Sequence, residues 1–98
     1  MESKKFLAKT SSGFEIELSE DALDNAPLLE QLVALEETDN GLLILKIAQK
    51  LLGSEGKEKL YDHLRQPDGR VPMEKLGTEV GELINSVKAA KNSSSSPN

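Results

Sequence analysis

The stretch LLILKIAQKLL, residues 42–52, decides the fold of this chain of 98 residues. Its only polar residues are Lys46, Gln49 and Lys50. A helix that is apolar around so much of its circumference is buried on several sides, so the pattern predicts the central element of a helical core. Gly53 is a natural stop for this helix, and Ser54 is a natural N-cap for the next one.

A second helical pattern precedes this central segment. Ser19 is suited to cap a short turn of helix over residues 21–23, and Pro27 suits the first turn of a helix that runs to about Glu37. The sequence TDNG at residues 38–41 predicts the break before the central helix. The longer helix carries a wide apolar stripe formed by Leu28, Leu29, Leu32, Val33 and Leu35.

Two further helical patterns follow the central segment. A mostly polar helix is predicted over residues 55–66, and the sequence PDG at residues 67–69 is a strong turn signal. Residues 71–74 are predicted to start one more short turn, with Gly77 as its stop and Thr78 as the cap of the next helix. The last helix is predicted over residues 79–90, where apolar residues recur at helical spacing.

The N-terminal region predicts a β-hairpin. Residues 6–10 (FLAKT) form the first predicted strand, residues 11–13 (SSG) the loop, and residues 14–18 (FEIEL) the second strand. The second strand alternates apolar residues with glutamates, and Gly13 can take the positive φ that a short hairpin loop needs. Because two strands alone are only marginally stable, we expect their apolar face to lie on the helices.

These elements define the expected fold class as mostly α, and α+β at most. We predict an N-terminal β-hairpin packed on a small bundle of about four helices. The length allows one domain and is too short for two separate cores, so residues 1–90 are assigned to a single helical domain that includes the hairpin. Residues 91–98 form a Ser-rich tail that we expect to be disordered.

Charge is distributed unevenly along the chain. The formal net charge is −5, and no Lys or Arg occurs between Lys9 and Lys46. That interval contains nine of the seventeen acidic residues. An acidic surface repels phosphate backbones, so we expect no nucleic-acid binding. The alternative interpretation is that the charge only keeps the protein soluble.

The sequence contains few candidate residues for catalysis or metal binding. It has no cysteine, which removes disulfides, thiolate nucleophiles and Cys-type zinc sites together. His63 is the single histidine, and we interpret it as a surface or capping residue, because catalysis would also require a nucleophile or an orienting partner in a pocket. We therefore expect no enzyme activity, metal or cofactor. No apolar run approaches the length that spans a bilayer, so no membrane contact is expected.

By elimination, the sequence favours a protein-binding module. Candidate contact residues are Leu42, Leu45 and Leu52, because the central helix carries more apolar surface than one small core requires. The alternative is that this helix is simply the core. The last helix adds the candidates Val80, Leu83, Ile84 and Val87. Arg70 is a candidate recognition residue beside a rigid turn, although it could instead pair with a helix carboxylate.

Several segments of the chain, taken in order, resemble one protein family. They are FEIEL at residues 14–18, DALD at 21–24, LLG at 51–53, LYDHLR at 60–65 and DGRVP at 68–72. In this order they resemble the small tail assembly chaperones encoded by siphophages and prophages of Gram-positive bacteria. The resemblance covers roughly Phe14 to Val87 and is sharpest in HLRQPDGRVP, residues 63–72.

The resemblance implies a non-enzymatic function. Chaperones of this family bind the long, hydrophobic tape measure protein, keep it soluble and help tail tube subunits to polymerise around it. They are absent from the finished virion. The expected partners are therefore the tape measure protein and the tail tube protein, in the cytoplasm of a bacterial host, with self-association as a further expectation. The family supplies no catalytic residues to carry over.

Two other functions stay open from the sequence. A structural tail or head-completion protein would be retained in the virion and would self-associate in isolation. An acidic regulator would instead occlude a basic protein partner, with the acidic residues 15–39 at the contact. Binding by such an acidic regulator would weaken steeply as the salt concentration rises, because it would depend on exposed charges.

Overall fold

Two strands and three helices follow one another in a computed structural model that describes residues 4–94 of the chain. They are β1 (Lys5–Lys9), β2 (Glu15–Ser19), α1 (Ala26–Thr38), α2 (Leu43–Leu64) and α3 (Met73–Ser94). The predicted fold class, a β-hairpin with a helical bundle, is confirmed. No helix within residues 4–94 combines the length and the apolar character that crossing a membrane requires.

The hairpin forms as the alternating pattern predicts. β1 and β2 pair antiparallel, with Phe6 opposite Leu18 and Ala8 opposite Ile16. This face is buried or half-buried, whereas the glutamates of β2 are exposed. Gly13 has a φ of 94°, and the amide of Thr10 donates to the Phe14 carbonyl across the loop. Since α3 packs against β1, the hairpin has the helical support that two strands need.

α1 begins and ends where its local signals predict. Pro27 lies in the first turn, and the helix terminates at Asp39, which adopts a left-handed conformation with a φ of 56°. The Asp39 amide donates to the Leu35 carbonyl at 2.8 Å and so closes the last turn. The predicted helical turn near Ser19 is an isolated turn, in which the Ser19 hydroxyl accepts from the Asp21 amide at 3.0 Å.

α2 is the central helix, because it packs against both α1 and α3. Its inward residues are Ile47, Ala48, Leu51, Gly56, Leu60 and Leu64. The helix is divided at Gly53, whose φ of 75° and ψ of 173° lie outside the helical region. The predicted stop and restart is therefore confirmed, and α2 supplies two of the four helical segments that the sequence indicated.

α3 is longer than the sequence predicted. A helix does start within residues 71–74, at Met73, but the expected stop at Gly77 is wrong, because α3 continues through it. Glycine inside a helix costs roughly 1 kcal/mol relative to alanine. Leu76 is only 1% exposed in the continuous helix, and burying a leucine fully is worth about 1.5–3 kcal/mol, which outweighs that cost.

The C-terminal end of α3 also extends beyond the predicted boundary at Ala90. The helix reaches Ser94, so residues 91–94 of the expected tail are helical, while residues 95–98 lie outside the described part of the chain. Lys91 donates from Nζ to Asp21 Oδ1 at 2.6 Å, which ties α3 to the turn after β2. This hydrogen bond with Asp21 raises the pKa of Lys91.

One hydrophobic core joins all five elements. Its fully buried large side chains are Leu28, Ile47, Leu60, Leu76, Val80, Leu83 and Val87. The hairpin adds Ala8, Phe14 and Leu18. Because the core is built mainly from aliphatic side chains on α2 and α3, replacing those residues with smaller ones would destabilise the whole fold.

The break at Gly53 generates a stability prediction. Its backbone angles belong to a region that is essentially restricted to glycine, so Gly53→Ala should destabilise the protein by about 1–3 kcal/mol. Gly81→Ala is the matched control, because Gly81 lies inside α3 with open space around it, and the change should stabilise by up to about 1 kcal/mol. Urea unfolding of both variants measures the difference, and equal stabilities would contradict the assigned break.

Candidate protein-binding surface

α1 carries an apolar surface that the core does not use. The helix packs mainly against α2, through Leu28 and its partly buried neighbours. On the outer side, Leu29 is 44% exposed and Val33 is 52% exposed. These two residues are one helical turn apart, and together with Ala26 they line a shallow groove of about 370 Å³. We call Ala26, Leu29 and Val33 the α1 stripe.

Acidic side chains border the α1 stripe. Glu30 lines the same groove, and Glu37 follows Val33 at the four-residue spacing that places it on the same side of the helix. Glu36 lies three residues after Val33 and is also exposed. α1 contains no basic residue. An apolar strip with a rim of one charge sign is a surface that selects its partner by charge as well as by shape.

A second exposed apolar patch lies where the chain enters α2 and α3. Leu42 is 63% exposed and Met73 is 37% exposed. Both line one groove of about 390 Å³, together with the half-buried Ile44. Of the residues predicted from the sequence to contact a partner, Leu42 is therefore placed on the surface.

Leu45 lies in a different electrostatic environment. It is 39% exposed, and the groove that it lines also contains Lys46, Lys50 and Lys57. Gln31 of α1 borders this groove, so it follows the junction of α1 and α2. The surface around Leu45 is therefore basic, in contrast to the acidic surface around the α1 stripe.

Other predicted contact residues belong to the core. Val80, Leu83 and Val87 are at most 1% exposed, so a partner cannot reach them in this fold, and we remove them from the candidate surface. Leu52 and Ile84 are partly buried and pack against the same core. The physical reason is that α2 and β1 pack against α3 and cover these residues.

Arg70 is exposed, as the sequence predicted, but it is not unpaired. Its Nε donates to Asp68 Oδ2 at 2.8 Å, and its amide donates to Asp68 Oδ1 at 3.0 Å. These hydrogen bonds, the amide bond foremost, lower the pKa of Asp68. The Arg70 carbonyl accepts from the Gln66 amide, so Arg70 forms part of the turn itself and does not pair with a helix carboxylate.

Leu29 and Val33 are not among the contact residues predicted from the sequence, although a signal for them is present in it. Five apolar residues on one helix of 13 residues form a stripe wider than contact with a single neighbouring helix can cover. Leu28, Leu32 and Leu35 take the inward positions, so Leu29 and Val33 are left at its edge. The width of the stripe could therefore have indicated an unused apolar edge.

A polar cleft lies between the hairpin loop and the helices. Ser12 Oγ and His63 Nε2 form a hydrogen bond of 3.0 Å, and the His63 ring packs on Phe14 with 5.4 Å between ring centroids. Ser11 donates to Glu82 of α3 from its amide at 2.7 Å and from its hydroxyl at 2.8 Å. The hairpin loop is thus held to both α2 and α3, and the exposed His63 forms part of this contact.

The described residues contain no cluster of three or more histidine, cysteine or acidic side chains that could hold a metal ion. Comparisons of the chain with protein families, with curated proteins and with solved structures find no match.

The Ser11–Glu82 contact generates a pH prediction. The hydrogen bonds from Ser11, the amide bond foremost, hold the pKa of Glu82 below its ordinary value of 4.5. A carboxyl whose pKa is lowered by folding stabilises the protein above its unfolded pKa, and this stabilisation is lost as the pH falls through the folded pKa. Glu82→Gln should therefore destabilise at neutral pH and make no difference in acid below that pKa.

Urea midpoints of the wild-type protein and Glu82→Gln across this pH range test the prediction. Glu58→Gln, which changes an exposed glutamate of α2, is the control and should not alter the pH dependence. A difference in urea midpoint between the wild-type protein and Glu82→Gln that stays constant from neutral pH into acid would contradict the assigned contact.

Proposed function

We propose that this protein is a tail assembly chaperone, which binds and solubilises the tape measure protein of a long-tailed phage and assists tail tube assembly without catalysis. The observation that carries the proposal is the α1 stripe, where Leu29 and Val33 are about half exposed on a helix whose opposite side is already packed. The resemblance of residues 14–87 to this family of chaperones supports the choice of partner.

The α1 stripe suits an amphipathic helix as its occupant. A tape measure protein is a long helical chain with repeated apolar stripes, and these stripes promote aggregation while they are exposed. A partner helix laid along α1 would bury its own apolar residues against Leu29 and Val33, in the helix-in-groove mode of recognition. The interaction would cover the aggregation-prone surface without any change to the core.

Charge defines which partner helix fits. Glu30, Glu36 and Glu37 border the stripe, so the complementary helix carries Lys or Arg beside its apolar residues. The formal net charge of −5 would keep the complex soluble by repulsion between its copies. Apolar contact would supply most of the affinity, and the acidic rim would supply orientation and selectivity.

Co-expression with the tape measure protein of the same genome tests the proposed function. We expect the tape measure protein to become soluble and to co-purify with this chain. An insoluble tape measure protein in the presence of this chain would contradict the proposal. Detection of the chain in purified virions would favour instead a structural protein that is retained in the particle.

Two substitutions on the α1 stripe test the surface itself. Fully burying a leucine or valine side chain is worth about 1.5–3 kcal/mol, so the exposed halves of Leu29 and Val33 together supply roughly 1.5–3 kcal/mol. Leu29→Gln combined with Val33→Gln should therefore weaken binding of the tape measure protein by about tenfold to a hundredfold. The free energy of unfolding should change little, since both side chains lie outside the core.

Leu7→Gln is the matched control. Leu7 is 55% exposed on β1, so it presents a similar apolar area away from the α1 stripe, and its substitution should leave binding unchanged. Isothermal titration calorimetry of each purified variant with a soluble tape measure fragment measures the affinities of the double variant and of the control. Equal loss of binding in both variants would contradict the assignment of the α1 stripe.

A further inference from the structure

Glu79 is a buried carboxyl without a partner. It lies on α3 with 4% of its surface exposed, between the fully buried Leu76 and Val80. Its Oε1 oxygen has no hydrogen-bond partner, and Glu79 takes part in none of the ion pairs found among the described residues. Burying a carboxyl oxygen without a hydrogen bond is costly, and this acceptor is unsatisfied in the unbound protein.

Glu79 lines the polar cleft between the hairpin loop and the helices. The cleft is open to solvent and has a volume of about 820 Å³. Ser11 and Ser12 form the wall on the hairpin side, His63 and Gln66 form the wall at the end of α2, and Thr78 lies beside Glu79 on α3. The hydroxyl groups of Ser12 and Thr78 already form hydrogen bonds, with His63 and with the Glu74 carbonyl. The Glu79 carboxyl is therefore the acceptor in this recess that a donor group from solvent would meet.

Two basic residues, Arg65 and Lys75, also line the cleft, and neither pairs with Glu79. Arg65 is engaged elsewhere, since it donates to Asp62 at 3.1 Å and to the Gly69 carbonyl at 3.2 Å. Lys75 lies four residues before Glu79 and is exposed, but no ion pair joins the two side chains. Glu74, at the exposed edge of the cleft, adds a second negative charge.

We propose that this cleft, which we call the Glu79 cleft, is a recognition site for a basic side chain, lysine or arginine, of a bound protein. The cation would pair with the Glu79 carboxylate in the recess that Ser12 and Thr78 also line. A charge-assisted hydrogen bond is stronger than one between neutral groups, because both partners carry charge.

The site is independent of the α1 stripe. It requires a basic residue on the partner, whereas the α1 stripe requires an apolar helix, and the two belong to different elements of the fold. The Glu79 cleft can therefore be tested with a small probe and without the tape measure protein. Failure of the co-expression experiment would leave this test unaffected, and the reverse also holds.

The probe is N-acetyl-arginine amide, and the matched neutral probe is N-acetyl-citrulline amide, which keeps the shape and removes the charge. Two-dimensional NMR of the full-length chain follows the backbone amides of Ser12, Thr78 and Glu79 during titration. We expect saturable shifts with the arginine probe and none with the citrulline probe. Glu79→Gln should weaken binding of the arginine probe by about tenfold or more, whereas Glu58→Gln should not change it.

The stability of the free variants gives a second readout. Glu79→Gln should be at least as stable as the wild-type protein, because a neutral amide costs less to bury than an unpaired carboxylate. Equal destabilisation by Glu79→Gln and Lys75→Gln would show that the two side chains pair in solution, and it would overturn the proposal. Equal shifts with both probes, or unchanged arginine binding in Glu79→Gln, would also overturn it.

Discussion

The burial of α2 between α1 and α3 is the interaction on which the rest of the structure depends. Ile47 and Leu60 are fully buried, one on each side of the break at Gly53, so both segments of α2 contribute to the same core. Without this helix, α1 would lose its main packing partner and α3 would keep contact chiefly with β1. The hydrophobic effect acting on α2 therefore organises the positions of all the other elements.

The same packing creates the candidate binding surface. Because α1 packs mainly on α2, one side of α1 stays free, and Leu29 and Val33 remain exposed on it. α3 is in the opposite situation over most of its length, since α2 and β1 pack against it and Val80, Leu83 and Val87 are buried. In a small domain the ratio of surface to core is high, so an element at the edge of the bundle readily keeps apolar surface for a partner.

Hydrogen bonds fix the position of the hairpin loop relative to this aliphatic core. The hairpin loop is joined to α3 through Ser11 and Glu82, and to α2 through Ser12 and His63. These contacts lie at the edge of the Glu79 cleft and define its hairpin-side wall. The α1 stripe and the Glu79 cleft differ in the physical effect that each offers, which is apolar contact in the first and charge pairing in the second.

The sequence by itself determined the elements whose signals are local. The alternation of β2, the start of α1 at Pro27 and the break at Gly53 all follow from residues a few positions apart. Only the tertiary structure decided that α3 continues through Gly77, that Val80 is core and that Leu29 is surface. Helical periodicity marks which residues are apolar, but burial depends on neighbours distant in sequence, and these decide which apolar side of a helix is covered.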